Sequence, residues 1–355
     1  MAYAFADYAV PMAGLDASRG PWLAVASVAV LTLLNLFGVV LGKATQNLLT
    51  LAKVVGLAGI IIAGLVWGGG GSPAATGPMT GPGLGLALVF VLYAYGGWND
   101  AAFIAAEVRD RHVNMPRALL LGVGGITVIY LLVNAAYLWG LGFEGVRASG
   151  APAADVLQLA LGDWGSRGMS IIVMISALGA INGLIFAGSR VYASLGADHS
   201  VFAVLGRWHP RFGAPVWSLL AQAVISILLI VAVGTESGRT TVDRALEAVT
   251  LDPLPWAKYY GGFNTLVAGT APVFWSFFLL TGLSLFVLRF KDKNIHRPFR
   301  VPLFPVVPLV FCATCGYMLY SSLDYAGGLS LLGMVPLAVG LPLYFLSRRI
   351  RADQL

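Results

Sequence analysis

Nine apolar runs, each near the ~20 residues that a helix needs to cross the hydrocarbon core of a bilayer, leave this chain one solvent to fold in. They cover residues 21–41, 46–67, 84–106, 118–142, 169–195, 215–233, 266–288, 303–323 and 329–346. Only 11% of the residues are charged and 58% are hydrophobic, where a soluble domain carries about 25% charge. Lipid offers no hydrogen-bond partners, so the backbone must satisfy itself inside each span. The pattern predicts an all-α integral membrane protein with nine complete transmembrane helices.

One run is interrupted. Tyr93-Ala94-Tyr95-Gly96-Gly97-Trp98-Asn99 places two adjacent glycines and a cap-type residue inside the stretch 84–106. A broken helix is tolerated at membrane depth only where protein or a water-filled cavity takes up the freed backbone groups. Breaks of this kind hold substrates near the midplane of secondary transporters; a glycine-permitted helix contact is the plainer reading. Asp100 follows at once, the one carboxylate within the apolar part of the run. Two roles stay open for it: a cap for freed N–H groups, or a proton-coupling group whose buried carboxyl holds its proton.

The formal charge of +6 is distributed as a topological signal, not as a nucleic-acid footprint. If the first complete span runs inward, sixteen Lys and Arg fall in inner segments and six in outer ones. The positive-inside rule then puts the C-terminus in the cytoplasm. Residues 1–12 are apolar but too short to span, and no Lys or Arg precedes them, so a signal peptide is not indicated. They are expected to be the end of a truncated helix. Cys312-x-x-Cys315 lies in an apolar run with no His or carboxylate beside it, which favours packing over redox or metal chemistry. His112, His199, His209 and His296 fall in inner connections, none spaced as a metal pair on a helix face. No nucleophile, base and orienting group converge in motif form, so neither an enzyme nor a bound cofactor is expected.

Four stretches together carry a family resemblance. They are Asn35-x-x-Gly38-Val39 leading to Gln46-x-x-x-Thr50-x-x-Lys53; Tyr95-Gly96-Gly97-Trp98-Asn99 with Glu107 and Asn114-x-Pro116-Arg117-Ala118; Gly179-x-x-Asn182-Gly183 leading to Ser189-Arg190; and Arg297-Pro298-Phe299-x-Val301-Pro302-Leu303-Phe304-Pro305. In this order and spacing the chain resembles the amino acid–polyamine–organocation transporter superfamily, nearest its bacterial permeases and L-type exchangers. The resemblance implies twelve spans, ten of them built as two inverted five-helix repeats. The nine runs here match the fourth through twelfth, and residues 1–12 the end of the third. On that scheme the chain is a single polytopic domain over 1–348: residues 21–67 close the first repeat, 84–288 form the second, 303–346 are accessory helices, and 349–355 are a short cytoplasmic tail.

The resemblance also assigns roles. Gly96 and Gly97 match the unwound segment that meets a substrate's amino group, with Tyr95, Trp98 and Asn99 around it. Tyr93 falls where relatives place an aromatic gate, although core packing explains an aromatic there equally well. Lys53 matches a lysine that occupies the region of a sodium site, with Ser189 near it; a lysine snorkelling to the interface is the alternative. Asn182 reads as a helix-to-helix hydrogen bond. Glu107 and Arg109 read as a cytoplasmic-gate pair or, with Asp110 and Arg111, as a solvated orienting cluster.

The function implied is sodium-independent amino acid transport by alternating access in the cell (inner) membrane. The implied partners are a small amino acid and the lipid bilayer, with no nucleic acid. A sodium-coupled symporter and a non-transporting fragment or partner subunit stay open as alternatives. Because the family's first unwound segment has no counterpart among the matched runs, these residues alone are expected not to catalyse uptake.

Overall fold

The computed structural model describes residues 1–69, 91, 94–149, 151–248, 252–256, 261–292, 294, 297 and 301–352. Tyr93, His296, the loop after Gly69 and most of the first half of the run 84–106 lie outside the described residues. What is described is helical, with one isolated bridge between His209 and Ala214. The helices are α1 (Ala2–Met12), α2 (Gly20–Leu36), α3 (Val39–Trp67), α4 (Asp100–Phe103), α5 (Arg111–Ala148) and α6 (Pro152–Leu161). They continue as α7 (Gly165–Asp198), α8 (Val216–Gly234), α9 (Glu236–Glu247), α10 (Gly261–Lys291), α11 (Val306–Ala326) and α12 (Leu331–Ala352).

Seven stretches among the described residues are long and apolar enough to cross a membrane, and the last, Val306–Ser347, contains both α11 and most of α12. Eight of the nine expected runs coincide with these helices; the ninth, 84–106, has only its end described. At most 33% of the apolar window of any span is buried against the rest of the protein. Most of each apolar window is left accessible, which suits a bilayer as solvent.

The chain divides into two compact units, residues 1–195 with 204–228, and residues 196–203 with 229–355. In the first, α3 crosses α5 and carries α6. The crossing is close because it is made of small residues: a Cβ on Gly64 would lie 2.6 Å from the Ala136 carbonyl oxygen, and one on Gly68 would lie 2.6 Å from Gly140 Cα. Ile60, Ala63, Ala153, Val156 and Leu157 form the core beside it. Helices α2 and α3 pivot at Gly38, whose φ of 121° is open to glycine and whose Cβ would sit 2.8 Å from the Phe212 carbonyl oxygen.

In the second unit α10 packs along α11 and α12. Gly282 makes room for Cys312, whose Sγ would be 2.7 Å from a Cβ there. Leu254, Ala268 and Leu329 form one core cluster of this unit. Helix α9 begins at Glu236, because Thr235 accepts a hydrogen bond from Gly238 N (3.0 Å) and caps the first turn. Asp243 then ties that helix to the following segment, accepting from Leu254 N (3.1 Å) and Trp256 Nε1 (2.9 Å).

Candidate functional site at the interrupted helix

Residues 95–99 form a turn between helical segments, and Gly97 has a φ of 94°. A residue with a Cβ is strained there, which explains why this position is glycine. The interruption runs further than the two glycines suggest. Only one helical turn, α4, follows before a 3-10 turn at Ala105–Glu107 and the left-handed Asp110 (φ 48°), and α5 starts at Arg111. The sequence places an inner connection at 107–117; the structure shortens it because Asn114 Nδ2 donates to Arg109 O (2.6 Å) within the first turn of α5. A single turn aligns too few peptides for a sizeable macrodipole, so the second half-helix has no strong positive end to offer.

One backbone group at the break is met by α5. Tyr130 Oη donates to the Ala94 carbonyl (3.1 Å), a group left over by the break. The Tyr130 ring meets Tyr95 edge-on at 5.3 Å, and Tyr95 Oη donates to Thr127 Oγ1 (3.2 Å). Asn99 Nδ2 donates to Asp100 Oδ1 (2.9 Å), while Asn99 Oδ1 is buried with no hydrogen-bond partner among the described residues. Gly96, Gly97 and Trp98 are exposed along the turn. Tyr130→Phe removes only the hydroxyl that meets Ala94, at a cost of about 1 kcal/mol. The expected result is faster amide exchange confined to residues 94–100; unchanged exchange there means that the bond does not hold the break.

The polar residues of α7 sort into two groups. Asn182 is fully buried and joins three helices: it accepts from Asn35 Nδ2 (2.8 Å) and donates to the Gly42 carbonyl (3.2 Å) and Gln46 Oε1 (3.0 Å). Gly42 must be glycine, since a Cβ there would collide with Asn35 Oδ1. Two turns along α3 from Gln46, Lys53 is half-buried, and its Nζ lies 3.9 Å from where a Gly179 Cβ would be. Lys53 makes no hydrogen bond or ion pair among the described residues.

The second group lies at the far end of α7. Ser189 is fully buried and donates to Phe186 O (2.9 Å). At ~1.5 Å per helical residue, it is roughly 15 Å along α7 from Gly179, so the structure does not bring Lys53 and Ser189 together. Beside Ser189 is Arg190, whose Nε donates to Glu107 Oε1 at 2.8 Å. The expected pair between Glu107 and Arg109 is not formed: Arg109 is exposed and 3.8 Å from Asp110. The sequence reading gave Arg190 no role, although a cation within an apolar run is a functional signal in itself.

Apolar spans, an interrupted helix and buried polar residues that link helices define a multi-pass membrane protein. The chain belongs to the amino acid permease family, whose sequence profile matches residues 1–340. It is 29% identical over 298 residues to the mouse (Mus musculus) b(0,+)-type amino acid transporter 1, covering 81% of this chain and 54% of that protein. To the human (Homo sapiens) large neutral amino acids transporter small subunit 2 it is 28% identical over 334 residues, covering 91% and 56%. To the human cystine/glutamate transporter it is 27% identical over 264 residues, covering 74% and 46%. The chain thus spans about half the length of the curated relatives it matches. The family and these relatives are transporters, not enzymes.

Proposed function

We propose that the protein transports small amino acids by alternating access around the interrupted helix, as a sodium-independent permease or exchanger of the cell membrane with its C-terminus in the cytoplasm. The observation that carries this reading is the break itself. Its spare carbonyl is met by Tyr130, yet the buried Asn99 Oδ1 has no partner among the described residues. An unpaired buried acceptor costs about 1–3 kcal/mol, and a substrate ammonium would relieve that cost. Tyr95, Gly96, Gly97, Trp98 and Asn99 form the proposed substrate segment, with Tyr93 as its gate. Asp100 and Lys53 are proposed for ion coupling, and Glu107 for gating. The two-repeat organisation, with residues 21–67 closing one repeat and 84–288 forming the other, belongs to the same proposal.

The coverage of the relatives favours a second reading, in which these residues work only together with further membrane segments. One experiment separates the two. Proteoliposomes preloaded with an unlabelled neutral amino acid are given its radiolabelled form outside, with sodium replaced by potassium. Saturable uptake of the L form over the D form supports a self-sufficient, sodium-independent transporter. Uptake that appears only with sodium overturns sodium independence. No stereoselective uptake by folded, monodisperse protein supports the second reading.

A further inference from the structure

Arg190 is the one charged residue among the described residues that is buried, with 8% of its surface exposed. Its guanidinium lies 3.6 Å over the Phe186 ring, with the Trp208 ring 5.8 Å away. Nη1 is occupied, donating to the Phe186 carbonyl (2.9 Å) and to Ser189 Oγ (3.1 Å). Nε donates to Glu107 Oε1 (2.8 Å), but Nη2 is buried with no hydrogen-bond partner among the described residues. Nε and Nη2 share one edge of the guanidinium, the edge that a carboxylate fills with two parallel bonds. Here Glu107 fills half of it.

Glu107 ends the 3-10 turn that follows the break, and 36% of its side chain is exposed. It has room to turn, whereas Arg190 is fixed by its ring and carbonyl contacts. We propose that Arg190 is a positioning residue: with Glu107 it forms a two-setting latch that fastens the segment after the broken helix to α7. The latch is singly bonded in this structure and closes to a two-bonded fork when that segment moves. This rests on the reading that the interrupted helix moves during transport, and it names the element that would hold the helix in one of its positions. A buried guanidinium needs a partner because an unpaired charge is costly there, so opening the latch fully has a free-energy cost that the singly bonded setting avoids.

The test is backbone hydrogen exchange on the whole chain in lipid nanodiscs, comparing wild type, Glu107→Gln, Arg190→Lys and the double variant. Glu107→Gln is expected to raise exchange over residues 100–114 by roughly tenfold, the scale of one charge-assisted hydrogen bond. Arg190→Lys keeps a charge and one bond but has no second N–H on the same edge; it is expected to raise exchange there about as much. The double variant is expected to exceed neither, because the two residues act through one contact. Exchange at Ala177 to Ile185 in the middle of α7 should not change. Wild-type exchange in Arg190→Lys overturns the fork, and additive effects in the double variant overturn the pairing. An equal rise in the middle of α7 overturns the latch by showing general loosening. No substrate is needed, so a latch that fails leaves the transport reading standing, and an absence of uptake leaves the latch result standing.

Discussion

Gly64→Leu is expected to destabilise the first unit severely. The Cβ alone would lie 2.6 Å from the Ala136 carbonyl oxygen and 2.8 Å from the Ala136 Cβ. Neither atom is the far end of a flexible side chain, so α3 and α5 must separate or bend. The separation reaches beyond one contact, since Ile60 and Ala63 on the same stretch of α3 pack with Val156 and Leu157 of α6. Overpacking ordinarily costs about 1–3 kcal/mol, and a clash with backbone belongs at or beyond the upper end of that range. A loss of that size is a large fraction of the roughly 5–15 kcal/mol that separates folded from unfolded protein. In membranes the penalty is not offset by a hydrophobic drive between helices, because lipid tails solvate leucine as well as a partner helix does. Size-exclusion profiles and thermal unfolding in detergent provide the measurement. Val66→Leu, two residues along and 64% exposed, is the matched control and should leave both unchanged. Equal behaviour of the two variants would show that the crossing is not held by small residues.

Much of the fold was legible because bilayer physics leaves few choices. Eight of the nine apolar runs coincide with helices among the described residues, and Gly96-Gly97 mark a turn in the remaining one. The extent of the interruption was not legible. It depends on Asp110 taking a left-handed conformation and on Asn114 reaching back to Arg109, so α5 begins at Arg111, inside the stretch read as a loop. The start of α9 could have been read from Thr235 followed by Glu236, a cap and a first-turn carboxylate.

For the candidate site, the difficulty is sequence distance. Glu107 and Arg190 are 83 residues apart, and Asn35 and Asn182 are 147 apart. A sequence shows that each is a polar residue in or beside an apolar run, hence in need of a partner, but not which partner. Arg109 and Asp110 drew attention as neighbours of Glu107 in the chain, whereas a carboxylate half out of water gains more from a buried guanidinium than from an exposed one. Asn182 was readable as an interhelical donor because an amide at lipid depth has few other uses; its three partners come from the way α2, α3 and α7 pack.

Lys53→Met is the decisive change for function, with an expected fall of about tenfold or more in sodium-free amino acid uptake wherever the wild-type protein supports it. Lys53 is half-buried on α3 with its ammonium against the Gly179 backbone of α7, and no carboxylate among the described residues pairs with it. A charge within an apolar span costs several kcal/mol unless it is paired, hydrated or reaches the interface, so its retention there points to a role. On the proposed reading its positive charge replaces a coupling cation between these two helices, so removing it lowers the population of transport-competent protein. A tenfold fall corresponds to about 1.4 kcal/mol, a modest demand on one ammonium in a low-dielectric region. Methionine keeps the apolar stem and removes only the charge, which is the distinction the snorkelling reading needs. If Lys53 merely lays its stem along apolar surface, Lys53→Met should transport within twofold of wild type while Lys53→Ala loses stability. If the charge is required, Lys53→Met and Lys53→Ala should fail alike, with unchanged membrane insertion and thermal unfolding. Wild-type uptake by Lys53→Met would remove Lys53 from the coupling machinery and leave it as an anchor of α3.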